Sequence, residues 1–464
     1  MKGKSMEETR HLIQKTRSIK YRDLPDEVID RAKYFILDYI GVSARGALCD
    51  SSCMIQSLFR KIDQESSGAV VIGTNLKISP LNAAIANGAA AHAVELDDVA
   101  NAASLHPGAA VITSALAACH MSDCSGKEFI EALVAGYEVM IKLGIALGPA
   151  AHYAQGFHPT ATCGTMGAAI TAAKVAKLGQ TAMTNALGIA GSQAAGSMEY
   201  LAEGSFTKRL HPGWAAHSGL MAALLSREGF TGPGTILEGK FGFLHAYSKA
   251  SDSGKILENW GKPYEILNTS VKPHSCCRYK QGPIDAVLKI MSEKRLKPEE
   301  IQKVSLGVLK TGFPLVAEPE EKKKNPRSIV DAQFSMPFGA AVAILYGKAG
   351  LDEYTRENMD SPRVRGLMDK VICVEDPSLE EQFPKRWPAS AAITTKNGQI
   401  YRTRIEYPKG DPENPLTWDE LIVKFRYLTA PVFPAERIQQ IIDAVRGMEQ
   451  VSDLKEFSRR LLNC

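Results

Sequence analysis

The stretch PLNAAIANGAAAHAV, residues 80–94, decides how the first half of the chain folds. Ser79 and Pro80 mark a helix start, because proline at the first helical position gives up an N–H that has no intrahelical partner there. Alanine and glycine follow with few bulky side chains, and residues 81–120 hold 15 alanines. Helices surfaced with such small residues can approach closely, which predicts a compact bundle rather than a sheet. Upstream, Pro25 opens DEVIDRAKYFILDYIGV, where Val28, Ile29, Ala32, Phe35, Ile36 and Tyr39 recur at helical spacing until Gly41 and Gly46. Downstream, the small-residue texture continues through MGAAITAAKVAKLG and SGLMAALLSREG. Helix is expected to about residue 250.

The character changes after Lys262–Pro263. KVSLGVL (303–309) alternates like a strand, and KVICVE (370–375) is short and β-branched. Residues 393–396 and 399–407 flank Asn397–Gly398, a strong hairpin signal. PIDAVLKIMSEKRL and FGAAVAILYGKAG read as helices between them, and EPEEKKKNP (318–326) as a charged, solvated loop. The expected organisation is a helical domain over 1–264 and a smaller α+β domain over 265–408. Helices over 409–464, including PAERIQQIIDAVRGM and LKEFSRRLL, are expected to return to the first domain.

Composition narrows the function. The 464 residues carry 55 Lys+Arg against 51 Asp+Glu, a net charge of +4 that is too weak to argue for nucleic acid. Hydrophobic residues at 45% and charged residues at 23% are ordinary for a soluble domain. The nine cysteines include no C-x-x-C pair, which removes the usual zinc-ribbon and iron–sulfur spacings and points to reduced thiols. MKGKSMEETRHLIQKTR has no apolar core, so no signal peptide is expected. Residues 143–173 lack charge but are broken by Pro149 and Pro159, so no membrane span is expected either. A cytoplasmic location follows as an expectation.

Three histidines precede proline: His106–Pro107, His158–Pro159 and His211–Pro212. Composition alone predicts about 0.5 such pairs. Each pair stands before an apolar small-residue run, which places each histidine at a helix mouth, where free N–H groups and a partial positive charge suit a carboxylate. The plainer reading of any one of them is an ordinary helix start. Thr207-Lys208-Arg209-Leu210-His211 and Lys272-Pro273-His274-Ser275-Cys276-Cys277-Arg278-Tyr279-Lys280 add cations, with Arg supplying a fork for carboxylates and Lys a point charge. His92-Ala93-Val94-Glu95-Leu96-Asp97-Asp98 supplies acids, and on a helix His92 and Glu95 would be neighbours at i, i+3. Three carboxylates in four positions repel, which can raise one pKa. No H-E-x-x-H or comparable spacing supports a metal, so none is assigned.

AHAVELDD, LHPGAAV, GFHPTATCGTMGAA, GSFTKRLHPGWAAHSG, VKPHSCCRY and DAQFSMPF, in this order, resemble the MmgE/PrpD family, over nearly the whole chain. That family includes 2-methylcitrate dehydratase, cis-aconitate decarboxylase and iminodisuccinate epimerase. The resemblance implies a large helical domain with an α+β lid, a homodimer, no cofactor, and a small polycarboxylate as substrate. By motif it implies catalytic roles for Glu95, His106, His158 and Lys208 and a substrate contact for His274; the cation clusters and helix mouths add Arg209, His211 and Arg278 as expected substrate contacts. Val99 stands where the family has threonine after the paired acids. Arg278 stands near a second lid histidine of the decarboxylases, and Phe338 at a position often held by tyrosine. Proton removal α to a carboxylate needs a placed base and a cation for the developing charge. His158 or Glu95 is expected as base, His106 as the acid for a departing hydroxyl, and Lys208 and Arg278 as carboxylate holders. The expected reaction is metal-independent dehydration of a citrate-like tricarboxylate such as 2-methylcitrate. Epimerisation of a dicarboxylate stands second, cis-aconitate decarboxylation third, and non-catalytic anion binding last.

Overall fold

A computed structural model of the chain describes residues 7–63, 68–383 and 386–464. Residues 1–6, part of the amino-terminal stretch judged for a signal peptide, lie outside the described residues.

Five helices build the frame of the site: α1 (Pro80–Ala93), α2 (Gly108–Cys119), α3 (Gly126–Leu147), α4 (Pro159–Val175) and α5 (Thr207–Arg227). Pro80 and Pro159 sit at the starts of α1 and α4, as the sequence predicts. The small residues set how closely these helices approach. A Cβ placed on Gly213 of α5 would lie 2.3 Å from the Ile85 carbonyl oxygen of α1. Only a residue without a side chain lets the two backbones cross there, and this crossing carries Lys208 to the end of α1. The core around the bundle includes Phe35, Ile40, Phe129, Tyr137, Met166 and Leu220, all buried. The helices Trp418–Thr429 and Ala435–Arg446 pack on the same core through Phe425, Leu428, Ile441 and Ile442.

Two-residue strands β1 (Val99–Ala100) and β2 (Thr269–Ser270) pair antiparallel, Val99 opposite Ser270, and bring the later part of the chain against the bundle. Beyond them lie β3 (Ile301–Val308), β4 (Val371–Glu375), β5 (Ala389–Thr395) and β6 (Ile400–Ile405), in the order β4-β3-β5-β6. β3 and β4 run parallel, and β3–β5 and β5–β6 antiparallel, the last joined by the Asn397–Gly398 hairpin. β5 buries alternate residues, the mark of one face turned to a core. Helices Gln281–Lys294 and Met336–Tyr346 join that core through Ile284, Val287, Phe338 and Val342. This second core is separate from the first, so the fold is a large helical domain plus a smaller α+β domain.

Three local expectations need correction. Short strand pairs, at Ala69–Val70 with Lys77–Ile78 and at β1, interrupt the helical first half. EPEEKKKNP is not all loop: Glu320–Lys324 forms a helical turn, with acids before lysines as the helix dipole favours. Pro212 does not open a helix, because α5 has already begun at Thr207. His211 is therefore a mid-helix residue rather than a helix mouth. Phe338 lies in the α+β core against Tyr354, away from the cavity described below. Among the described residues, no helix is long and apolar enough to cross a membrane.

Candidate active site

The site forms where α1 ends. The helix closes at Ala93, and the chain leaves it through Glu95, whose φ of 53° is in the left-handed region. An L-residue pays about 1–2 kcal/mol there. The i, i+3 reading of His92 and Glu95 on one helix face is thus corrected. The turn carries Glu95 off the helix and into contact with three cations from two segments. Its carboxylate accepts from Lys208 Nζ and Arg209 Nη1 of α5, and from Lys272 Nζ at 3.3 Å. Burial alone would raise the Glu95 pKa, but Lys208, Lys272 and Arg209 hold it well below the usual carboxylate range.

A second chain of contacts starts at Asp97. Its Oδ2 lies 2.6 Å from His92 Nδ1, and its Oδ1 lies 3.1 Å from Lys272 Nζ. Since the ionised carboxylate only accepts, His92 Nδ1 carries the proton and His92 Nε2 is left as an acceptor. Lys208 Nζ fills it at 3.0 Å. The Lys208 ammonium has three N–H bonds: Glu95 takes one and His92 another, which leaves one for the cavity that Lys208 lines. Burial, opposed by Glu95, brings the Lys208 pKa down to about 8. Three cations (Lys208, Arg209, Lys272) thus face two ionised carboxylates (Glu95, Asp97). One positive charge is left over for an anion.

The imidazoles are neutral at rest. Burial pushes His106 down to about 3 and His211 to about 4, and holds His158 well below the ordinary histidine value. His106 Nδ1 lies 2.7 Å from the Asp98 backbone carbonyl, an acceptor only, so Nδ1 carries its proton and Nε2 carries a lone pair. That tautomer leaves Nε2 as a proton acceptor at rest, so His106 protonates a departing hydroxyl only after first taking up a proton. His158 stands at the N-cap position of α4 with its ring free of the helix N–H groups, and its Nδ1 lies 3.1 Å from His211 Nδ1, so one ring donates and the other accepts. Asp98 is turned inward to Tyr137 Oη and the Gly108 N–H, and burial raises it to about 8. Like-charge crowding among the acids plays the smaller part.

Glu95, His106, His158, Lys208 and Arg278 line one cavity, together with Val99, Ser104, Tyr153, Met198, Tyr200, Cys277 and Phe334. The space left free within it is small, about 40 Å³. Three expected substrate contacts fall outside the lining. Arg209 lies beneath it, held by Glu95, the His92 carbonyl and Gln333. His211 stands behind His158, and His274 is turned to Asp285 at 2.8 Å. His92, Asp97 and Lys272 join the polar cluster although the motif assignment omitted them, and all three stand within the quoted motifs. Tyr153 and Tyr200 gave no signal in the sequence.

His92, Asp97 and His106 offer metal-ligand atoms within 4.8 Å of one another, the one such group among the described residues. The fit is poor. Lys208 and Lys272 already occupy His92 Nε2 and Asp97 Oδ1, and a divalent ion would have to displace two ammonium groups.

Residues 10–255 match the MmgE/PrpD N-terminal domain, and residues 274–450 match the MmgE/PrpD C-terminal domain. The chain belongs to the MmgE/PrpD family. The cis-aconitate decarboxylase-like protein oryM of Aspergillus oryzae is 30% identical over 462 residues, covering 95% of this chain and 94% of that protein. Human cis-aconitate decarboxylase is 27% identical over 448 residues, covering 94% of this chain and 90% of that protein. The 2-methylcitrate dehydratase of Salmonella typhimurium is 22% identical over 241 residues, about half of each chain. In this MmgE/PrpD chain the cavity is lined from both matched regions, by Glu95, His106, His158 and Lys208 from the first and by Cys277, Arg278 and Phe334 from the second.

Proposed function

We propose that this protein is a metal-independent lyase that decarboxylates a tricarboxylate of the cis-aconitate type to an itaconate-type product. The observation that carries the reading is likeness along nearly the full length to cis-aconitate decarboxylases, against half-length likeness to a dehydratase. The first expectation, dehydration, gives way to the third on that ground.

The chemistry balances with one proton. The bond from the substrate's CH₂ carbon to its carboxylate breaks, carbon dioxide leaves, and the electron pair forms a terminal alkene. The former alkene carbon, α to a remaining carboxylate, takes the proton, so a trianion plus one proton gives carbon dioxide and a dianion. Lys208 is suited to deliver that proton: it is an ammonium below about pH 8, pinned by Glu95 and His92, with its third N–H toward the cavity. The surplus positive charge of the cluster stabilises the charge that develops before protonation. Val99, Met198, Leu315 and Phe334 give the cavity an apolar wall, against which a departing carboxylate loses hydration.

A second reading keeps the same residues. His106, with its free Nε2, and Lys208 form a base–acid pair suited to dehydrating a 2-methylcitrate-like substrate. Proton NMR in D₂O separates the two. Chelator-treated protein given cis-aconitate yields itaconate vinyl signals under the first reading. Loss of water from 2-methylcitrate, without itaconate from cis-aconitate, moves the assignment to the second. Neither product from either substrate overturns both.

A further inference from the structure

Arg278 is held on three sides. Its Nη2 lies 2.8 Å from both carboxylate oxygens of Asp411, its Nε lies 2.8 Å from Asn101 Oδ1, and its guanidinium carbon sits 5.0 Å over the Trp387 ring. Asp411 is itself a hub. It is 3% exposed and accepts from Ser270 Oγ at 2.7 Å and Asn101 Nδ2 at 3.0 Å, besides Arg278. These partners come from separate places: Asn101 directly after β1, Ser270 from β2, Arg278 from the start of the α+β domain. The approach of Asp411 depends on Gly410, at φ +94°, where a Cβ would lie 1.8 Å from the Val271 carbonyl oxygen. Asp411, far along the chain and outside every motif quoted above, therefore fixes a side chain that lines the cavity.

An arginine on a flexible stem attracts any anion; one locked at two edges and a face presents only its remaining donors, in one direction. Here Nε and Nη2 are spent on the protein, and Nη1 is left for the cavity. We infer that Asp411 is a positioning residue that fixes Arg278 to read one particular carboxylate, so that the site discriminates a tricarboxylate from the matching dicarboxylate. The inference rests on the reading of the substrate as a polycarboxylate.

The test uses two stable probes that differ by one carboxylate, tricarballylate and glutarate. Both are titrated calorimetrically into the full-length protein and into Asp411→Asn, Arg278→Lys and the double variant. Wild type is expected to prefer tricarballylate. Each single variant is expected to lose about tenfold of that preference, the scale of one charge-assisted hydrogen bond. The double variant is expected to lose no more, because both substitutions break one unit. A folded Asp411→Asn with the wild-type preference, or additive losses in the double variant, would overturn the inference. A lower melting temperature with the preference intact marks a merely structural role and does the same. If Asp411→Asn does not fold, Arg278→Lys and Asn101→Ala carry the test, with the same loss expected and an intact preference in both overturning it. Wild type binding both probes equally overturns this inference alone, whereas wild type binding neither overturns the polycarboxylate reading with it.

Discussion

Replacing Glu95 by Gln keeps the shape of the side chain and removes its charge. Lys208, Arg209 and Lys272 then face Asp97 alone, three cations against one carboxylate. In the native site burial lowers Lys208 and Glu95 works against it, which places the ammonium at about 8. Losing an opposite charge in contact moves a pKa by about 1–3 units, so a fall of about two units puts Lys208 near 6. The donor form exists below the pKa and is lost as pH rises through it. At pH 7.5 the protonated fraction drops from about 0.76 to about 0.03, roughly 25-fold, whereas at pH 5.5 it falls only from about 1.0 to about 0.76. The assay is kcat/KM for cis-aconitate between pH 5 and 9, with folding checked by circular dichroism. The expected result is an alkaline limb moved from about 8 to about 6. A folded variant whose limb stays near 8, or whose rate falls equally at every pH, would refute Lys208 as the proton donor. Breaking a buried ion pair costs about 3–5 kcal/mol, so Glu95→Asp serves as the companion variant: it keeps the charge and should keep the limb near its native place.

Gly213→Ala puts a Cβ 2.3 Å from the Ile85 carbonyl oxygen, so α1 and α5 must separate. Overpacking of this kind costs about 1–3 kcal/mol or more. Because Lys208 and His92 sit on those two helices, both melting temperature and kcat should fall, whereas Gly366→Ala, with nothing within 4 Å, should leave both near native. Asp98 holds its proton to about pH 8 when folded, against an ordinary value of 3.8. The folded chain therefore binds more protons across that window, and this carboxyl's contribution to stability declines as pH rises through it. Asp98→Asn lacks the titration, so denaturant unfolding should lose less stability between pH 5 and 7.5 in the variant than in wild type. Parallel curves would contradict the buried, protonated assignment.

The helical half was legible because alanine, glycine and N-terminal proline act locally. A small residue permits close approach whatever its partner is, and Pro80 and Pro159 start their helices by their own covalent chemistry. The Asn397–Gly398 hairpin was readable for the same reason. Histidine followed by proline was an incomplete signal. It located His158 at the mouth of α4, but at His211 the residues before it had already started the helix, and a local rule does not register that.

The sequence by itself determined the family, the two kinds of domain, and the segments from which the site is drawn. Tertiary structure decided which members of those segments meet. Glu95 gathers Lys208, Arg209 and Lys272 from positions 113 to 177 residues away. The left-handed turn at Glu95 and the Gly213 crossing make that meeting possible. The same assembly set protonation. The Asp98 carbonyl fixes the tautomer of His106, and burial sets the charge state of Lys208, neither of which spacing along a chain encodes. Asp411 is the extreme case: an unremarkable acid in a loop, it acquires a role only because Gly410 lets the backbone close on Val271 beside Arg278. Chain order carries local conformation, whereas charge, tautomer and orientation depend on which groups share a small buried volume.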